Sequence, residues 1–138
     1  LDQESTGILE SLRKEKSWDA RYRQLMLLGK KSPSTDYPHN LRSAENLIAG
    51  CESEAWLSHS IDADSLKISF FADSDAKIIR GLLALVLDIC NHKTAAEISS
   101  IDFEGIFTEL GLQQHLSPSR GNGLLAIISK IRQLSQSS

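Results

Sequence analysis

The fold turns on Ala55-Trp56-Leu57-Ser58-His59-Ser60-Ile61-Asp62-Ala63-Asp64-Ser65-Leu66-Lys67-Ile68-Ser69-Phe70. Ala55, Leu57, His59 and Ile61 fall on one side of an extended chain, with Trp56, Ser58 and Ser60 on the other. That is the period-two alternation of a half-buried strand. Asp62-Ala63-Asp64-Ser65 supplies a turn, and Leu66, Ile68 and Phe70 continue the alternation in a second strand. Two strands are marginal alone. The hairpin therefore requires a short third strand near Asn46 to Ala49, or cover from helices.

Helical patterns flank it on both sides. Downstream, Ile78, Ile79, Leu82, Leu83, Val86 and Cys90 make the apolar face of a long helix reaching about Asn91, with Asp73 or Ser74 as its cap. Thr94 and Glu97 have capping-box spacing for a shorter helix, and Asp102 to Leu110 ends at Gly111. Ser117-Pro118 opens a last helix whose Leu124, Ile127, Ile128 and Ile131 pack inward. Upstream, Ile8, Leu9 and Leu12 follow the caps Ser5 and Thr6. Ser17 then caps Trp18 to Leu28, with Trp18, Tyr22, Leu25 and Met26 on one face and Gly29 placed to stop the helix. Lys31 to Arg42, with Pro33, Asp36, Pro38 and Asn40, reads as a loop. Helices, a small antiparallel sheet, then helices again make an α+β fold. It is expected as one domain over residues 1–138, with two or three strands packed against several helices.

Composition bounds the function. At 138 residues, 41% hydrophobic and a net charge of −3, the chain has enough apolar content for one core and lacks the signature of disorder. The charge also argues against a broad nucleic-acid footprint. The longest apolar run, Leu82–Leu87, is far too short to span a membrane, and Leu1–Lys16 lacks the apolar block of a signal peptide. The expected compartment is the cytoplasm, where the two cysteines are reduced thiols.

Charge is unevenly spread. Glu10 to Lys31 carries seven basic and three acidic residues, whereas Glu45 to Asp75 carries seven acidic residues and one basic, Lys67. Cys90 sits within a helical stripe, where a thiol behaves as a small buried hydrophobe. Cys51 follows Gly50 between the Pro-containing loop and the first strand. There it is either a nucleophile on a loop or an ordinary half-buried cysteine. Glu52 and Glu54 beside it disfavour a thiolate, so any chemistry at Cys51 depends on a partner to complete its environment. His39, His59, His92 and His115 are scattered singly with no metal-ligand spacing, although a distant Cys51–His59 or Cys51–His115 dyad stays open. Gly121-Asn122-Gly123 lacks the ending of a phosphate loop and lies inside the last helix, which suggests close packing or a contact surface.

Four stretches together resemble one family. They are Trp18-Asp19-Ala20-Arg21-Tyr22 to Leu28-Gly29-Lys30; Asn46-Leu47-Ile48-Ala49-Gly50-Cys51-Glu52-Ser53 followed by Trp56; Asp73-Ser74-Asp75-Ala76 with Ile78, Gly81 and Leu82; and Leu116-Ser117-Pro118-Ser119-Arg120 with Gly123-Leu124. In this order they resemble the cysteine desulfuration proteins of the SufE/CsdE type. Phe70-Phe71, Arg80 to Ala84 and Lys93 to Glu97 lean to the CsdE branch; the tail around His115 is more like SufE. Ala55 replaces the family's usual valine.

The resemblance implies an α+β fold similar to IscU-type scaffold proteins, without the several cysteines by which those hold a cluster. It implies that Cys51 accepts sulfur from a cysteine desulfurase of the SufS/CsdA type as a persulfide. The sulfur then passes to a downstream acceptor or iron–sulfur scaffold. The desulfurase, not this chain, carries pyridoxal phosphate; no cofactor, metal, nucleic acid or membrane is expected here. Leu47, Ile48 and Trp56 are expected to shelter Cys51; Asn46 and Ser53 either hydrogen-bond its loop or simply satisfy backbone groups, and Arg120, which matches a family position, reads as an ordinary structural ion pair. The alternative is a noncatalytic adaptor that activates the desulfurase without carrying sulfur.

Overall fold

The computed structural model describes residues 7–31, 38–48 and 54–136. Its centre is the expected hairpin, β1 (Ala55–Ile61) antiparallel to β2 (Ile68–Ser74), in a register that pairs Ala55 with Ser74 and Ile61 with Ile68. One face buries Ala55, Leu57, Ile68 and Phe70. The other presents half-buried Trp56 and exposed Phe71. Leu66 is not part of β2. It takes a left-handed φ of 62° and is 62% exposed, while the Asp62 carboxylate accepts from both the N–H and the hydroxyl of Ser65 to close the turn.

Each strand is contacted along part of its outer edge. Beside β2, the His92 N–H donates to the Ile68 carbonyl, the Ile68 N–H donates to that of Lys93, and the Asn91 side chain accepts from the Phe70 N–H at 2.7 Å. Beside β1, the expected third strand shrinks to a single bridge between Leu47 and Trp56, with the Ile48 N–H donating to the Ala55 carbonyl at 2.8 Å.

Seven α-helices surround the hairpin among the described residues: α1 (Gly7–Lys14), α2 (Trp18–Lys31), α3 (Lys77–Cys90), α4 (Ala95–Ser99), α5 (Phe103–Leu110), α6 (Leu112–His115) and α7 (Pro118–Gln136). The amphipathic α3 is the hub, burying Ile78, Ile79, Leu82, Leu83, Leu85, Val86, Ile89 and Cys90. Its cap differs from expectation: Ala76 occupies the N-cap without a side-chain bond. Asp73 and Ser74 instead end β2, where the Ser74 hydroxyl donates to the Glu54 carbonyl and accepts from the Ala76 N–H.

Nor does Gly29 stop α2. A β-carbon there would lie 1.9 Å from the Lys77 carbonyl oxygen, and one at Gly81 would lie 2.1 Å from that of Leu25. The two glycines let the backbones of α2 and α3 touch. Elsewhere local signals hold. Ser17 accepts from the Ala20 N–H, Thr94 and Glu97 form their capping box, and Asp102 caps α5. Gly111 ends α5 with a left-handed φ of 75°. The short α6 has no counterpart in the sequence pattern, because four residues are too few for a periodicity. Ser5 and Thr6 lie outside the described residues, and Asp88 of α3 serves α1 by accepting from the Ile8 N–H.

Candidate functional site

Cys51 lies outside the described residues, together with Ala49, Gly50, Glu52 and Ser53. Both chain ends that carry it are fixed. Ile48 is 2% exposed and hydrogen-bonded to Ala55. The Glu54 carbonyl accepts from the Asp75 N–H at 3.1 Å and from the Ser74 hydroxyl at 2.7 Å. Cys51 is three residues from each anchor in sequence, so covalent geometry alone limits its reach to about 11 Å from either.

The chain ends meet around Trp56. Leu47 bridges Trp56 on one side, Asp73 pairs with it in register on the other, and the Arg42 guanidinium sits 5.7 Å from its ring centroid. Arg42 also forms an ion pair with Asp73, whose side chain is 3% exposed. Asp73 Oδ1 finds no donor among the described residues. This pair amends the acidic reading of the region: a cation from just before the Glu45–Asp75 window neutralises one of its carboxylates. Residues 31 apart leave no local spacing to betray the contact. The Asn46 side chain donates to the Leu41 carbonyl at 2.9 Å, so its described role is to brace the preceding turn.

The other thiol is unsuited to chemistry. Cys90 is buried on α3, and desolvation pushes its pKa from 9.0 to about 12. At neutral pH only about one molecule in 10⁵ would carry that thiolate. Three of the four histidines are structurally engaged: His115 stacks on Trp18 at 5.0 Å, His59 on Phe70 at 6.3 Å, and His92 contacts the Ser69 hydroxyl at 3.1 Å; the side chain of His39 lies outside the described set. The Cys51–histidine dyads involve a residue outside the described set. Arg120 donates to the Tyr22 hydroxyl at 3.4 Å, joining the start of α7 to α2. Among the described residues no group of three or more His, Cys, Asp or Glu side chains is arranged to hold a metal ion.

Comparison with known proteins places this geometry in a lineage. The SufE domain, described as an Fe-S metabolism associated domain, matches residues 6–135. The chain is 43% identical over 114 residues to the sulfur acceptor protein CsdE of Escherichia coli (strain K12), covering 83% of this chain and 76% of that protein. It is 44% identical over 117 residues to an uncharacterized SufE-like protein of Rhizobium meliloti (strain 1021), covering 83% of this chain and 82% of the relative. A solution structure of a hypothetical protein from Thermus thermophilus superposes with a TM-score of 0.73 over 97% of this chain and 94% of that one. At 14% identity that similarity establishes the fold alone. The extent and identity of the sequence matches carry the assignment: the chain belongs to the SufE family.

Proposed function

We propose that the protein accepts sulfur from a cysteine desulfurase onto Cys51 and carries it as a persulfide towards iron–sulfur cluster assembly. The observation that carries this reading is the 43% identity to a sulfur acceptor protein across 83% of the chain. Burial of Cys90 supports Cys51 as the carrier, because the sequence holds only two cysteines.

In the step proposed, the Cys51 thiolate attacks the terminal sulfur of the donor cysteine persulfide. A new sulfur–sulfur bond forms to Cys51 as the donor's own sulfur–sulfur bond breaks. The electron pair leaves with the donor sulfur as a thiolate, and the proton stays on the transferred sulfur. Donor persulfide and Cys51 thiolate thus become donor thiolate and Cys51 persulfide, with no external oxidant or reductant. Rates of such exchange follow thiolate fraction, leaving-group pKa and access. The chain contributes a thiol and its placement; the desulfurase contributes the cofactor chemistry. A reducing compartment, the cytoplasm, suits a carrier that must stay unpaired. No described helix is long and apolar enough to cross a membrane.

The test incubates the protein with cysteine and each candidate desulfurase, followed by intact-mass and peptide analysis without reductant. A one-sulfur adduct on Cys51, absent from Cys51→Ala, is expected. An adduct on Cys90 instead, or stimulation of the desulfurase by Cys51→Ala equal to wild type with no adduct at all, overturns the carrier reading in favour of another site or an adaptor.

A further inference from the structure

We propose that Arg42 and Asp73 form a brace whose function is to position Cys51 for sulfur transfer, an inference that rests on the reading of Cys51 as the carrier. The two residues stand on opposite arms of the chain that presents it. Arg42 precedes the 3-10 turn Ala44–Asn46 that leads through Leu47 and Ile48 into the segment. Asp73 lies on β2, opposite Trp56, which follows Glu54 on the way out. Their ion pair joins the inbound arm to the sheet that receives the outbound arm. Trp56 is held between them by its bridge to Leu47, its pairing with Asp73 and the guanidinium over its ring.

The energetics favour a positioning role over a stabilising one. Asp73 is almost fully buried, and its Oδ1 has no donor among the described residues. A buried charge so incompletely hydrogen-bonded loses heavily by desolvation, and an apolar pair of similar volume is often at least as stable. In some proteins a buried polar or ionic group instead fixes the register between two segments, and that is the role proposed for this pair. Sulfur transfer depends on such registration, because the attacking and terminal sulfurs must meet in line at near-contact distance. Small misplacements cost rate out of proportion to their size.

The test measures persulfide formation on Cys51 against rising desulfurase concentration, alongside urea unfolding, for wild type, Asp73→Asn, Arg42→Met and the double variant Arg42→Leu/Asp73→Leu. A brace predicts that each single variant lowers the limiting transfer rate about tenfold or more with little change in half-saturation. It also predicts that the double variant recovers the wild-type urea midpoint but not the rate. Recovery of rate together with stability, wild-type rates in the singles, or an effect confined to half-saturation would each refute it. The two readings separate through a partner-free measurement, the iodoacetamide alkylation rate of Cys51. If wild type takes up no sulfur, the carrier reading falls. The brace then stands only if alkylation of Cys51 in the double variant differs from wild type by about threefold or more, a change that tracks placement of the thiol.

Discussion

At the scale of single residues, the enclosure of Cys90 has a measurable consequence. Cys90 is enclosed on α3 with its pKa pushed up to about 12 from a reference of 9.0. Below pH 9 the thiol is protonated whether the chain is folded or not, and its burial carries no ionisation penalty. As pH rises from 9 towards 12 the unfolded thiol loses its proton while the folded one retains it, so stability drains away. The loss approaches on the order of 4 kcal/mol for a three-unit separation. Urea unfolding from pH 7 to 11 is expected to show this decline in wild type and a shallower one in Cys90→Ala. Native Cys90 is likewise expected to resist alkylation until the chain unfolds; rapid labelling under native conditions would contradict its burial. Cys90 was legible from its place in a helical stripe, as periodicity reports burial directly. The Arg42–Asp73 contact was not, because its partners are joined only by the tertiary fold.

At the scale of elements, glycine separates what local sequence rules can and cannot resolve. Gly29 has the position of a helix terminator, yet α2 passes through it to Lys31 because α3 crosses there at backbone contact. Gly29→Ala and Gly81→Ala each force a carbonyl or a helix to move, at a cost of about 1–3 kcal/mol or more. Gly121 provides the internal control. A β-carbon there meets nothing within 4 Å, so Gly121→Ala is expected to stabilise the protein by about 0.5–1 kcal/mol through helix propensity. Urea midpoints for the three variants should therefore move in opposite directions, and a uniform response would discredit the close crossing. Capping signals at Ser17, Thr94 and Asp102 were readable because donor and acceptor are three residues apart. The start of α3 departs from its local signal for the converse reason: Asp73 and Ser74 have the right spacing, but the sheet claims both.

At the scale of the whole molecule, the hairpin and helix order follow from alternation and periodicity, whereas the attachments between distant elements do not. Arg21 exemplifies these: from α2 it donates to the carbonyls of Leu12, Glu15 and Leu110, each at 3.0 Å, binding the ends of α1 and α5 to one guanidinium. Arg21→Met is expected to lower stability by about 2–3 kcal/mol, given that hydrogen bonds from charged donors are worth about 1.5–3 each and the freed carbonyls regain some water. Arg21→Lys should restore only part of it, since an ammonium cannot reproduce the planar fork. The midpoint should shift with the denaturant slope unchanged if the fold is retained. The bridge between Leu47 and Trp56 has a consequence for tolerance to change. The chain leaves and rejoins the hairpin at one rung on either side of the segment that carries Cys51, so residues added between Ile48 and Glu54 lengthen an arm without shifting the pairing of β1 with β2. Doubling such an arm raises its closure cost by only about 0.6 kcal/mol. Reach can thus diverge between relatives that share a scaffold, and a carrier can be refitted to a deeper or shallower donor pocket without rebuilding its core.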